Sequence, residues 1–229
     1  MHYNGNMSIR KVSFAPGEYY HLYNRGNSKQ RIFHDTQDYW HFITLLYTCN
    51  SENNFKAFLF KRNKEDPYLW ERGGQLVSIG AWILMPNHFH ILITEKEEGG
   101  ISKFMQKLCT AYSMYYNKKY KRTGGLFEGK FKSKHLSTDR YLKYIFSYIH
   151  LNAIKLIQKD WKEIGIKNKK EALEYLDNYK YSSYLEYAGL KRKQNAILDR
   201  KTFPDYFPSI ANFKKEILEW ISYHDEFDY

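Results

Sequence analysis

The chain has 229 residues, 43% hydrophobic and 18% aromatic, enough to bury a core of ordinary size in one unit. Its 36 Lys and Arg against 25 Asp and Glu leave a formal net charge of +11, which points to an anionic partner, with nucleic acid the first candidate. No run reaches the roughly 18 apolar residues of a membrane helix, and "MHYNGNMSIRKVSF" lacks the apolar centre of an export signal. Cys49 and Cys109 form neither a CxxC nor a zinc pattern, so a cytoplasmic protein with reduced thiols is expected.

Within "GEYYHLYNRGN", residues 19–25 read as a first strand ending in a turn at Gly26-Asn27. Residues 35–50 follow as a helix, with Tyr39, Phe42, Ile43, Leu46 and Tyr47 at helical spacing and Asp35 or Thr36 as its cap. In the mixed stretch 51–74, "FKAFLF" fits a short strand or a helix. Residues 75–86 and 88–95 are two strand-like runs joined at Pro86-Asn87, which predicts an antiparallel hairpin. Gly99-Gly100 opens a helix over 101–120 whose apolar face carries Ile101, Phe104, Met105, Leu108, Tyr112, Tyr115 and Tyr116. The basic stretch 121–137 is a loop or a strand. A strong helix spans 138–158 with Asp139 as its start signal, and "YKYSSYLEYAGL" and "FKKEILEWISYH" read as two more helices. The order β-α-β-β-α-(loop or strand)-α plus a helical tail predicts the α/β (α+β) class: one sandwich of a central antiparallel sheet with helices packed on it. There is no internal repeat and no low-complexity linker.

The run "WILMPNHFHILIT" places two histidines in an apolar strand. Strand side chains alternate faces, so His88 and His90 point one way and Phe89 the other. Two imidazoles on one face make half of a metal site, although hydrogen-bonded structural histidines fit the same pattern. The helix after the basic stretch carries Tyr141, Tyr144, Tyr148 and Asn152. Tyr148 and Asn152 are four apart and share a face. An amide oxygen is an acceptable third ligand for a hard cation, so two imidazoles and Asn152 would suit Mg²⁺ or Mn²⁺. The alternative is that the tyrosines pack and Asn152 ends the helix.

Between the two long helices, Lys121, Arg122, Lys130, Lys132 and Lys134 interleave with Phe127 and Phe131. Cations for phosphates and aromatic rings for splayed bases fit single strands and hairpin ends, and a solvated basic loop is the competing reading.

Four segments, "YYHLYNRGNSKQRIF", "AWILMPNHFHILI", "RTGGLFEGKFKS" and "YLKYIFSYIHLNAIK", follow one another between Tyr19 and Lys155. Together they resemble the IS200/IS605-like single-tyrosine transposases of the HUH endonuclease superfamily, above all the REP-associated branch. The resemblance implies a ferredoxin-like HUH core, a catalytic domain over 15–158 and a helical C-terminal extension over 159–229. It implies that Tyr148 is the nucleophile and that His88, His90 and Asn152 hold the metal, with Tyr144, one turn away, as the competing nucleophile. The last motif ends Asn-Pro in the common form and Asn152-Ala153 here, which leaves the helix end open. Arg25 and Asn27 match a recurrent motif and are assigned to DNA contact, with a structural turn as the alternative.

The activity so implied is metal-dependent cleavage and rejoining of single-stranded or hairpin DNA through a 5′-phosphotyrosine intermediate. A homodimer and a monomer both fit the family. The other readings are a hairpin-DNA-binding protein with little or no turnover, a replication initiator or relaxase, for which the chain lacks room, and an RNA-binding sheet.

Overall fold

In the computed structural model, residues 13–56 and 63–219 are described. Most of "FKAFLF" and the last residues of "FKKEILEWISYH" lie outside them. The core order is β1 (Tyr20–Arg25), α1 (Thr36–Thr48), β2 (Val77–Met85), β3 (His88–Glu95), α2 (Gly100–Lys119) and β4 (Lys132–His135). The strands form one antiparallel sheet in the order β2-β3-β1-β4, a ferredoxin-like arrangement. α3 (Asp139–Leu151) follows, then the short α4 (Trp161–Ile164), α5 (Lys169–Asn178), α6 (Tyr184–Tyr187) and α7 (Ile210–Glu219).

Each face of the sheet carries an apolar core, because helices pack on both. Leu22, Phe89, Ile91 and Ile93 pack with Phe42, Leu46, Phe104, Leu108 and Tyr112 of α1 and α2. On the other side, Ala81, Ile83 and Leu92 pack with Ile145 and Ile149 of α3. Trp161, Leu176, Tyr184, Phe203 and Phe213, all beyond residue 158, join that second core. β2 is buried along its whole length, the burial expected of a strand enclosed on both faces.

Local chemistry fixes the ends. Asp35 and Asp38 form a reciprocal capping box at the start of α1. Gly26 closes β1 where a Cβ would stand 2.3 Å from the Gln30 carbonyl oxygen, too close for any other residue. Its N–H donates to the Asn87 carbonyl, and the Asn27 N–H to that of Leu126, so "RGN" ties β1 to the β2–β3 turn and to the segment before β4.

Several boundaries differ from the sequence reading. The stretch 121–137, open in sequence between loop and strand, contains a strand, β4, because Lys132–His135 pair with β1. The helix predicted over 138–158 is α only to Leu151 and continues as 3₁₀ over Asn152–Leu156. Its cap is Thr138, whose side chain accepts from the Tyr141 N–H, and Asp139 sits in the first turn. "YKYSSYLEYAGL" is helical only over Tyr184–Tyr187. Before that it turns against β2, where Ser182 makes an isolated antiparallel bridge to Ile83, with Leu84 N–H donating to Tyr181 O and Ser183 N–H to Trp82 O, both 2.9 Å. This covers a sheet edge that would otherwise be open.

Candidate active site

Phe89 and Ile91 of β3 point into the first core, and His88 and His90 to the opposite face. Arg25 stands opposite His88 and Tyr23 opposite His90 in the β1–β3 ladder. Lys132 stands opposite Tyr23 and Lys134 opposite His21 in the β1–β4 ladder. Directly opposed residues share a face. The histidine face therefore also carries His21, Tyr23, Arg25, Lys132 and Lys134.

The rings of His88 and His90 are perpendicular, with centroids 5.0 Å apart. His88 Nδ1 lies 2.6 Å from Asn87 Oδ1, an acceptor, so Nδ1 carries the proton and Nε2 keeps its lone pair. His90 Nδ1 lies 2.8 Å from His21 Nε2, while His90 Nε2 is buried without a partner among the described residues. With the proton on His90 Nδ1, its Nε2 keeps a lone pair that no protein donor takes up among the described residues. Burial holds both rings in the neutral, ligating form. Desolvation lowers His88 to about 4, assisted by Lys155 and Arg25, and lowers His90 well below its ordinary value, assisted by His21 and His88. His21 had no assigned part in the sequence reading. The period of two along β1 puts it on the same face as Tyr23, and that signal could have found it.

Tyr148 is presented by α3. Its ring lies 5.5 Å from that of His90, nearly perpendicular, and 6.0 Å from that of His21. Two residues on, buried His150 anchors the helix: its Nε2 lies 2.8 Å from Ser183 Oγ. That hydroxyl accepts from the Trp82 N–H and donates to the Trp82 carbonyl. With the hydroxyl proton already committed, the His150 Nε2–H is the donor. Ser183 thus fastens α3 to β2. Burial pushes the Tyr148 hydroxyl well above its ordinary pKa, and the neighbouring Asn152 amide works in the opposite sense. Tyr144 is 8% exposed and does not line the cavity that Tyr148 lines, which separates the two candidate nucleophiles.

The donors fit a divalent cation in part. Two neutral imidazoles offer nitrogen lone pairs, and buried Asn152 carries an amide beside the Tyr148 hydroxyl. Among the described residues no group of three or more His, Cys, Asp or Glu is arranged to hold a metal. Asn152, expected as the third ligand, sits at the C-cap of α3 one turn from Tyr148, but it is 2% exposed and does not line the cavity that His88, His90 and Tyr148 share.

His88, His90 and Tyr148 line one cavity of about 580 Å³. Five cations also line it: Arg25, Lys29, Lys132, Lys155 and Lys159, against the single carboxylate of Glu128. Glu128 is bound by Arg25, whose second contact is 2.9 Å, so Arg25 is committed to an ion pair rather than open to a phosphate. The four lysines have no carboxylate within ion-pair distance among the described residues. Of the other DNA-contact candidates, Asn27, Lys121 and Lys130 are exposed outside the cavity. Arg122 donates to Gln30 and lies over the Tyr116 ring. Phe127 packs against Phe89 and Tyr112, and Phe131 stacks on Phe14. The two phenylalanines expected to stack on bases therefore spend ring faces on protein packing. Lys29, Lys155 and Lys159, not assigned from sequence, stand nearer the chemistry.

The sheet, its histidine face and the cavity define an α+β protein with a cluster of cations beside a helical tyrosine. Residues 71–152, which run from before β2 to Asn152, match the family described as "Transposase IS200 like". A solved structure described as a REP-associated tyrosine transposase bound to a REP hairpin is similar at 14% identity, covering 82% of this chain and 90% of that one, with a TM-score of 0.45. Comparison with curated protein sequences gives no match. No helix among the described residues is long and apolar enough to cross a membrane, and both cysteines are free.

Proposed function

We propose that this chain is a metal-dependent single-stranded DNA transposase or nickase that cuts and rejoins strands at hairpin sequences of the REP kind. The observation that carries this reading is that Tyr148, His88 and His90 line one cavity walled by unpaired lysines. The family of residues 71–152 supports it.

In this reading Lys29, Lys132, Lys155 and Lys159 bind the DNA backbone and bring a phosphate to Tyr148. The Tyr148 oxygen bonds to phosphorus and loses its proton. The bond from phosphorus to the 3′ oxygen breaks, and that oxygen leaves protonated. The tyrosine then carries the 5′-phosphate of the downstream strand. A free 3′-hydroxyl attacks this ester in the reverse sense, so the phosphodiester energy is conserved and no nucleotide is consumed. A divalent cation, Mg²⁺ or Mn²⁺, held by His88, His90 and Asn152 would neutralise charge on the scissile phosphate. His21 orients His90, and the walls of β1, β3 and α3 restrict water.

The test uses hairpin oligonucleotides labelled at the 5′ or 3′ end, with and without Mn²⁺. The expected result is a metal-dependent, SDS-resistant adduct retaining the 3′ fragment. Tight binding with no adduct under any metal would sink the enzymatic reading and leave a hairpin-binding protein.

A further inference from the structure

After α3 the chain turns back across the cavity, and α4 brings two side chains to Tyr148. The buried Trp161 ring lies roughly parallel to the Tyr148 ring, with centroids 6.4 Å apart. Lys162 places Nζ 3.9 Å from the centroid of the Tyr148 ring, well inside cation–π range. Other edges of that ring meet His90 and His21.

Lys162 is only half-exposed, and no carboxylate lies within ion-pair distance of it among the described residues. Desolvation lowers it to about 8, and Lys155 adds repulsion. An ammonium partly withdrawn from water with no anion beside it is unfavourable. The π face of Tyr148 is the compensation the structure provides. The contact is also directional, because the ring must present its face to the ammonium. This limits rotation of a side chain that has to deliver one oxygen to one phosphorus.

We propose that Lys162 is a positioning residue for DNA cleavage, holding the Tyr148 ring in the orientation that aims its hydroxyl oxygen at the scissile phosphate. The role rests on the reading of Tyr148 as nucleophile. It gives the segment after α3 a part in the reaction, one that neither the sequence motifs nor the family match assigns.

The experiment measures the single-turnover rate of adduct formation and the hairpin Kd for the full-length wild type, Lys162→Met and Lys162→Arg. Lys162→Met keeps the stem and removes the charge, and Lys162→Arg restores a cation able to sit on the ring. At saturating DNA and metal, Lys162→Met should be slower by about tenfold or more, with Kd changed less than about threefold, and Lys162→Arg should recover most of the rate. An unchanged rate in Lys162→Met overturns the role. So does equal slowing in both variants, or a loss confined to Kd. A wild type that binds the hairpin but forms no adduct overturns the nucleophile reading itself, and this role with it.

Discussion

His21 and His90, 69 residues apart in sequence, meet through their imidazoles, with Nε2 of the first 2.8 Å from Nδ1 of the second. The pair sits on one face of two adjacent strands. The contact fixes the orientation of His90 and leaves its Nε2 unpartnered. Outer partners of this kind set the tautomer and basicity of a ligating histidine. In His21→Ala, Mn²⁺ affinity should fall about 10–100-fold with the fold retained, as titration calorimetry would detect. Wild-type affinity in that variant would mean that His21 only packs.

Lys132 and Lys130 are two residues apart, yet Lys132 lines the cavity and Lys130 does not. Each lysine that neutralises a phosphate of a single strand contributes about 0.7 to the slope of log affinity against log salt. Lys132→Ala should flatten that slope by about this amount, and Lys130→Ala by less. Equal slopes for the two variants would place the DNA elsewhere.

Stability should fall on mild acidification. Burial lowers His21 and His150 to about 3, and lowers His90 as well. Their folded pKa values lie below the unfolded value of about 6.5, so the unfolded chain binds more protons between the two. The stabilisation is complete above about pH 6.5 and is lost as pH falls toward the folded values. Each such histidine removes at most about 1.4 kcal/mol per pH unit. Urea midpoints should therefore drop steadily from pH 7 to pH 5. A flat profile would show that these rings are hydrated in solution.

Asp38 is fully buried and accepts from Lys119 Nζ at 2.7 Å, Tyr120 Oη at 2.7 Å and Tyr115 Oη at 3.0 Å, joining α1 to α2. Burial pushes its carboxyl up, but these donors and the His34 N–H bring it below the ordinary value. Asp38→Ala would leave two hydroxyls without their acceptor, while Lys119 keeps its second carboxylate, Asp35, at a cost of about 2 kcal/mol in denaturant unfolding. A loss under about 1 kcal/mol would mean that water replaces the carboxylate.

Much of this was legible in the chain. The hairpin at Pro86-Asn87, the shared face of His88 and His90, and the one-turn spacing of Tyr148 and Asn152 all follow from local periodicity. What escaped depends on distant partners. Residues Lys132–His135 are polar and short, and become a strand only because β1 offers a ladder. The bridge at Ser182 forms because β2 has an edge to cover. Phe127 and Phe131 look like stacking platforms in sequence, but Phe89, Tyr112 and Phe14 already occupy ring faces. Lys155, Lys159 and Lys162 lie among many surface lysines, and only the turn after α3 brings them to Tyr148.

The most direct measurement is adduct formation by wild type, Tyr148→Phe and Tyr144→Phe with a 3′-labelled hairpin in Mn²⁺, followed by peptide mapping of the labelled residue. Tyr148→Phe should give no adduct, Tyr144→Phe should retain it, and the label in the wild type should map to the peptide containing Tyr148. Label on Tyr144, or an adduct that persists in Tyr148→Phe, would contradict the assignment of the nucleophile.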